Sequence, residues 1–421
     1  MAFTEGHEPN NSNIIQIGKE IVKKYKGIPL ATRTIGRMLY SKDRETEWLS
    51  FHKTEFSKIS QDDSDVLPTL KLSYDCLPSN LKQCFAHRSV FPKDHEFDVS
   101  DLISLCMAQE FTNLSDLTQS LEDMGREYFM ELYWRSFFQE VEEDEFGKIY
   151  SCKMHDLMHD LALQVAGIPI SLSQTANRIR KVLLPSQKWE GNVLRHGLLL
   201  CDAFFSNFKF LCALDLHDFG LTTLSNSNRK LRHLRYLYLS HTKIKDLPNS
   251  ITKLQNLQSL KLSRLDKFKE FPRDMKKLIN LRHLEFIGVR GLSHMPSGLG
   301  QLTNLQTLSY FMLSKGTNLR HGCGDHVGEL KELMPLNSLR NLCILNLRHG
   351  ITDGTAANLK EKQYLHSLML DWSSSNDRKY LEVAMGTTSS DEHERTLESF
   401  QPLPSLKGLS LEGYGGVRLL S

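Results

Sequence analysis

The stretch LRHLRYLYLSHTKIKDLPNSITKLQNLQSLKL, residues 231–262, decides the architecture. It holds the phrase L-x-x-L-x-L twice, as Leu234-Leu237-Leu239 and Leu257-Leu260-Leu262. Working outward, the phrase recurs as Leu211-Leu214-Leu216, Leu281-Leu284-Phe286, Leu305-Leu308-Tyr310, Leu342-Leu345-Leu347, Leu365-Leu368-Leu370 and Leu406-Leu409-Leu411. The middle leucines of the eight copies lie 23, 23, 24, 24, 37, 23 and 41 residues apart. A repeat of roughly 20–29 residues built on this phrase predicts a leucine-rich-repeat solenoid. Each phrase is a short strand whose leucines point inward. One repeat cannot bury that face alone, so neighbours stack and lay the intervening residues along a concave sheet. Register breaks at Ser314–Glu329 and Ser373–Glu394 read as loops, and a first, atypical strand is expected around Gly197–Leu200. The chain ends soon after a strand phrase without a polar cap, so the solenoid is expected to be cut short.

The totals narrow the class. With 421 residues and 40 % apolar content, several domains can each build a core. No apolar run is long enough for a membrane span, and the N-terminus lacks the basic and apolar regions of a signal peptide. Eight cysteines are scattered with no C-x-x-C pair, which predicts reduced thiols and no zinc site. A cytoplasmic setting follows, with the nucleus or a peripheral membrane association also compatible. The net charge of +2 conceals an asymmetry. Residues 93–163 carry 17 acidic and 5 basic residues, whereas residues 203–310 carry 7 acidic and 17 basic ones. Two readings fit: two separately solvated surfaces, or surfaces that meet partners.

Upstream of the repeats, Ile14, Ile17 and Ile21 recur at helical spacing before the Gly27-Ile28-Pro29 break, and Leu30, Ile35, Met38 and Leu39 continue a second helix. Residues 65–165 form a denser unit. Its helices carry Leu70, then Leu81 and Phe85, then residues 102–111, then Leu121 to Phe138. A β-hairpin is expected from Gln139-Glu140-Val141 to Ile149–Met154 around the acidic turn Glu142–Glu145, with a last helix from His155 to Val165. Helices followed by a hairpin and a helix predict a winged helix. With residues 93–163 at net −12, it lacks the clustered cations that DNA phosphates require, so no DNA binding is expected.

Three motifs fall in one order. Gly27-Ile28-Pro29-Leu30-Ala31 resembles G-L-P-L-A, Cys84-Phe85 through Phe91-Pro92 resembles C-F-x-x-C-S-x-F-P, and Met154-His155-Asp156 matches M-H-D. Together with the repeats they resemble the NB-ARC leucine-rich-repeat disease-resistance proteins of plants, of the coiled-coil class. The flanking Leu330-Lys331-Glu332-Leu333 and Leu411-Glu412-Gly413-Tyr414-Gly415-Gly416 agree. The resemblance implies an α+β multidomain chain: a partial first ARC helical subdomain over 1–60, a second ARC winged-helix subdomain over 61–165, a linker and solenoid cap over 166–205, and an α/β horseshoe over 206–421. It also implies that Pro29 packs on the adenine of ADP and that His155 meets its β-phosphate, with Met154, His155 and Asp156 acting as the switch motif. In the intact family ADP holds the switch closed and ATP opens it. Recognition of a pathogen effector, or of a guarded host protein, falls to the repeats.

Parts of the family pattern are missing from this sequence. No G-x-x-x-x-G-K-[ST] loop occurs, since Gly18-Lys19 and Gly147-Lys148 are followed by Glu20 and Ile149. No catalytic residue, NTPase activity or tightly bound nucleotide is therefore expected, and the chain reads as truncated at its N-terminus. Within the matched motifs Arg88 stands where the family has a second cysteine, and Cys106 and Glu110 replace a tryptophan and a glycine. His155 and His159 stand four apart, as two zinc ligands on one helix would, but no third ligand is evident and no metal is expected. Arg232, Arg235, Lys261, Arg264 and Arg282, in or beside strand phrases, form the expected interaction surface. The acidic residues 93–163 are expected to dock on repeats within 203–310. The competing reading is a general leucine-rich-repeat adaptor unrelated to immunity.

Overall fold

The computed structural model describes residues 11–24, 29–40, 45–54, 67–91, 93–109, 119–166, 181–183, 209–218, 220–289, 291–292, 294–313, 329–347, 354–373, 390–400 and 406–418. The chain divides into two compact units, residues 1–172 and 173–421.

The first unit begins with helices α1 (Ser12–Lys24), α2 (Pro29–Tyr40) and α3 (Glu45–Thr54). Ile14, Ile17 and Ile21 of α1 meet Ala31, Ile35 and Leu39 of α2 and Trp48 and Phe51 of α3 in one small core. The helical spacing of these residues places each set on one face of its helix. Next come α4 (Leu67–Asp75), α5 (Ser79–Ala86), a 3-10 turn (His87–Val90), β1 (Glu96–Asp98), α6 (Val99–Ala108), α7 (Leu121–Trp134), β2 (Phe138–Glu143), β3 (Ile149–Met154) and α8 (Asp156–Ala166). Asp98 caps α6 by accepting from the Asp101 amide, and Ser120 caps α7 by accepting from Asp123. α7 stops short of the expected Phe138. Ser136 adopts φ 64°, which breaks the helix and turns Phe138 into the first residue of β2.

The expected hairpin is β2 paired antiparallel with β3, and a strand absent from the sequence reading, β1, adds to the other side of β3. At the acidic tip, the Asp144 carboxylate accepts from the amides of Phe146 and Lys148, at 3.0 and 2.9 Å, and Gly147 supplies the left-handed φ of 73°. Phe97, Phe138, Ile149, Cys152 and Met154 from the sheet pack with Phe85, Leu102, Phe129, Met158 and Leu161 from the helices. This is the winged-helix arrangement.

The second unit is a parallel sheet. Its strands are β4 (Lys181–Leu183), β5 (Ala213–Asp215), β6 (Tyr236–Tyr238), β7 (Ser259–Lys261), β8 (His283–Glu285), β9 (Thr307–Leu308), β10 (Phe311–Met312), β11 (Asn341–Leu345), β12 (Ser367–Asp371) and β13 (Gly408–Glu412). They stack in chain order from β4 to β13, with β10 beside the main path and paired to β11. The strand expected around Gly197–Leu200 lies outside the described residues; the strand that pairs with β5 is Lys181–Leu183. Leu214, Leu237, Leu260, Leu284 and Leu308 are register partners, and all are at most 1 % exposed.

Two further columns hold the rungs together. Asp218, His241, Arg264 and Gly288 all take left-handed φ, of 57, 58, 55 and 75°, two residues after the last apolar residue of each phrase. On the opposite edge, the side-chain amides of Asn256, Asn280 and Asn304 donate to carbonyls of the preceding repeat at 2.8, 2.8 and 2.9 Å. These bonds satisfy backbone oxygens that no strand or helix partner reaches. The chain returns on the far side through short 3-10 helices, among them Asn226–Lys230, Asn249–Lys253 and Met275–Lys277.

The sixth repeat departs from its expected register. Leu342, not Leu345, pairs with Leu368, so the phrase is Leu339-Leu342-Ile344. Those three side chains are at most 2 % exposed, while Leu345 is only partly buried. Asn346, two residues past Ile344, takes φ 66° and falls into the left-handed column. The interruption at Ser373–Glu394 also differs from a plain loop: Ser390 to Phe400 form helix α9. Its Leu397 and Phe400 are buried in the solenoid core, and the Ser399 hydroxyl accepts from the Gly354 amide at 2.7 Å.

Candidate functional site

The M-H-D motif lies at the junction of β3 and α8. Met154 ends β3, 4 % exposed, with Phe138 as its register partner. His155 sits between strand and helix, half-buried, and its Nδ1 accepts from the Leu157 amide at 3.2 Å. It thereby takes up an amide that the first turn of α8 leaves without a helical partner. With Nδ1 accepting, the ring proton of neutral His155 resides on Nε2. Asp156 is the first residue of α8 and exposed, an acid where the helix dipole favours one.

One turn later the motif repeats itself as His159-Asp160, and this second pair is an anchor. His159 is 6 % exposed, and its Nε2 donates to the Phe91 carbonyl at 2.6 Å. Asp160 receives the Lys93 ammonium at 2.7 Å, which raises the lysine's pKa. The two histidines four apart therefore do different work, one capping α8 and the other fastening it to the Phe91–Lys93 segment. Among the described residues no group of three His, Cys, Asp or Glu side chains is placed to hold a metal ion.

Pro29 opens α2, where its missing amide hydrogen costs nothing. Helices α2 and α8 both pack on α4, which links the Pro29 and His155 segments through one intermediate helix. Arg37 of α2 donates from Nη1 to the Tyr133 carbonyl at 2.7 Å, and its guanidinium lies 5.8 Å from the Tyr133 ring centre. Burial lowers the Arg37 pKa.

Two of the three departures from the matched motifs, Arg88 and Cys106, touch each other, and Glu110 lies outside the described residues. Arg88 is 2 % exposed, and its Nη2 donates to the Cys106 sulfur at 2.9 Å and to the Leu102 carbonyl at 3.2 Å. A long side chain thus occupies the neighbourhood of a short one. Hydrogen bonding to Cys106 and burial push the Cys84 thiol up, and desolvation pushes Cys152 up to about 12. The Cys84 and Cys152 thiols are therefore protonated at neutral pH.

The five cations expected on the solenoid fall at different positions of the repeat. Arg235 and Arg282 occupy one column, two rungs apart, with Gln258 between them. Arg232 is exposed ahead of β6, and its carbonyl receives Asn256. Arg264 is exposed in the left-handed column. Lys261 is 6 % exposed on the inner sheet, with its Nζ 2.8 Å from the Glu285 carboxylate of the next rung.

A winged helix with an M-H-D junction, followed by a leucine-rich-repeat sheet, defines a class of modular proteins. Residues 90–162 match the disease resistance protein winged helix domain, and residues 196–416 match the leucine-rich repeat region. The chain belongs to the plant disease-resistance proteins that carry these two modules. It is 38 % identical to disease resistance protein RGA2 of Solanum bulbocastanum over 98 % of this chain and 41 % of that protein. An RPP13-like resistance protein of Arabidopsis thaliana is 33 % identical over 97 % of this chain and 40 % of its own length. The chain therefore spans about two fifths of these relatives. Among solved structures, a leucine-rich-repeat protein of Leptospira interrogans aligns with 48 % of this chain and 51 % of its own. Its TM-score is 0.32 at 21 % identity, too slight a likeness to carry argument.

Proposed function

We propose that this chain is the regulatory and sensing portion of a plant immune-receptor-like protein. Its repeats recognise a protein, either a pathogen effector or a guarded host protein, and its winged helix retains part of an ADP-dependent switch. The observation that carries the reading is the joining of an ordered M-H-D junction to a solenoid of at least eight stacked rungs in one chain. The His155 imidazole, with Nε2 left to carry its proton, is a donor suited to a diphosphate, and Pro29 is the candidate for the adenine side. Without a phosphate-binding loop in the sequence, the ADP contact is a weak remnant and no phosphoryl transfer is assigned.

The charge asymmetry supports an intramolecular latch in which the acidic residues 93–163 dock on the basic repeats within 203–310. Tethering makes modest complementarity sufficient, and salt weakens it. Hydrogen exchange on the full chain tests the latch. Raising the salt from about 0.05 to about 0.5 M, which shortens the screening length severalfold, should speed exchange in both acidic and basic segments together. Exchange that ignores salt in either segment sinks the latch. Calorimetry with ADP tests the remnant separately: heat that His155→Ala abolishes supports it, and no heat at high micromolar ADP removes it.

A further inference from the structure

A second group of solenoid cations lies away from the strand phrases. Arg229, Lys230, Lys253 and Lys277 line a cleft of about 550 Å³ on the return side of the repeats, formed by three successive 3-10 helices. Lys230, Lys253 and Lys277 are each the last residue of their helix, just ahead of the core leucines Leu231, Leu254 and Leu278. That shared position stacks them in a column at the repeat spacing. In the next repeat the same position is Gln301, so the column ends there.

Stacked like charges repel, and the cleft is lined mostly by cations and neutral polar groups. Asp274 is its one acidic lining residue, and it answers Lys277 at 2.5 Å. The lining as a whole carries three more positive charges than negative ones. Every lining residue is polar or charged, which removes apolar ligands and the apolar anchors that a protein partner needs. The floor is ordered: Ser250 is 8 % exposed and its hydroxyl donates to the Asn226 side-chain oxygen at 3.1 Å. The volume lies within the roughly 300–1,000 Å³ of small-molecule sites. A phosphate group carries more charge and more acceptor oxygens than a carboxylate, and lysines serve it as point charges.

We propose that this cleft binds a small ligand bearing several phosphate groups, such as an inositol polyphosphate, free or as the head group of a lipid. Arg229, Lys230 and Lys253 supply the charge, and Lys277 exchanges Asp274 for the ligand. The site is separate from the inner sheet and from the M-H-D junction, so its failure leaves the proposed function untouched.

Calorimetry of the 421-residue chain with inositol hexakisphosphate at physiological salt tests it. We expect micromolar binding that weakens at least about tenfold in Lys253→Glu, a smaller loss in Lys230→Gln, and no change in Lys267→Glu, an exposed cation outside the cleft. The Lys253 side chain is exposed, and circular dichroism verifies that its variants fold. No heat at high micromolar ligand overturns the proposal, as does equal loss in Lys253→Glu and Lys267→Glu. Co-sedimentation with phosphatidylcholine vesicles containing phosphatidylinositol bisphosphate separates the sources. Binding that Lys253→Glu removes assigns the lipid head group, and binding to the free ligand alone assigns the soluble one. Equal sedimentation with phosphatidylserine vesicles overturns phosphate specificity.

Discussion

The rungs from β5 to β9 and those from β11 to β13 use the same architecture under different sequence discipline. In the first set, one leucine phrase per 23 or 24 residues fixes each strand, the left-handed turn follows β5 to β8, and the asparagine bond precedes β7 to β9. In the second set the spacing stretches, a helix is inserted, and Lys362 stands where Leu254, Leu278, Leu302 and Leu336 fill the core. The sheet nonetheless continues without a break in pairing from β11 to β13. The left-handed turn appears in both sets: Asn346 and Gly413 take the φ that Asp218, His241, Arg264 and Gly288 take earlier, whereas Met312 and Trp372 at the same position of the β9 and β12 rungs do not. Leucines supply the burial in every rung, while the left-handed turn two residues beyond the phrase recurs in most of them.

The strongest way to break this comparison is at the sixth repeat. Leu342 is 2 % exposed and paired in register with Leu368, so Leu342→Ala should cost about 2–5 kcal/mol, as buried leucine truncations do. Leu345, only partly buried, should cost less than half as much when truncated. Solenoid stability is a sum of rung and interface terms, so the loss should appear as faster hydrogen exchange in β11 and β12 rather than in β6 or β7. Equal costs at the two leucines would return the register to Leu342-Leu345-Leu347.

Lys362 offers a second test, with a pH signature. Its Nζ donates to the carbonyls of Leu333, Met334 and Leu336, at 2.6, 3.4 and 3.1 Å. A polar end thus caps the 3-10 turn of the previous repeat through a core position. Burial lowers its pKa from 10.5 to about 8. The unfolded chain then holds more protons than the folded one between pH 8 and 10.5, and stability rises with pH across that window. Below pH 8 the penalty is complete, on the order of 2 kcal/mol after allowance for the three carbonyls that favour the ammonium. Urea unfolding of the wild type and Lys362→Met should diverge in favour of the wild type as pH is raised. A difference that stays flat with pH removes the titration.

Much of this was legible in the sequence, for identifiable reasons. Inward leucines at a fixed period announce themselves, and so does a hairpin with an acidic turn. The sixth register is ambiguous in the sequence because Leu345 and Leu347 also satisfy the phrase, and Asn346 in the turn column separates the two alignments. β1 leaves no signal in the sequence because three residues, Glu96 to Asp98, are too short to show alternation. At the M-H-D junction the sequence offered His155 and His159 as a spaced pair. The bond from His159 to Phe91 joins residues 68 apart, which no local pattern contains. The contact between Arg88 and Cys106 is of the same kind: each departs from its motif, and only the fold shows that they adjoin.

The smallest expected effect has the opposite sign. Asn228 lies three residues before Leu231, the position filled by Ile251, Met275 and Leu299 in the next three repeats, and it is 1 % exposed. Neither its side-chain nitrogen nor its side-chain oxygen has a hydrogen-bond partner among the described residues. A buried amide without partners costs about 1–3 kcal/mol, so replacing it with the residue its neighbours use should recover part of that. Asn228→Ile should stabilise the first rungs by ~1 kcal/mol, read as a higher urea midpoint and slower exchange in β5 and β6. The gain should fall below the full penalty because isoleucine is branched at Cβ and the 3-10 turn must accommodate it. A loss of stability would mean that Asn228 holds a buried water, and that the first rungs depend on polar contacts where the later ones depend on packing.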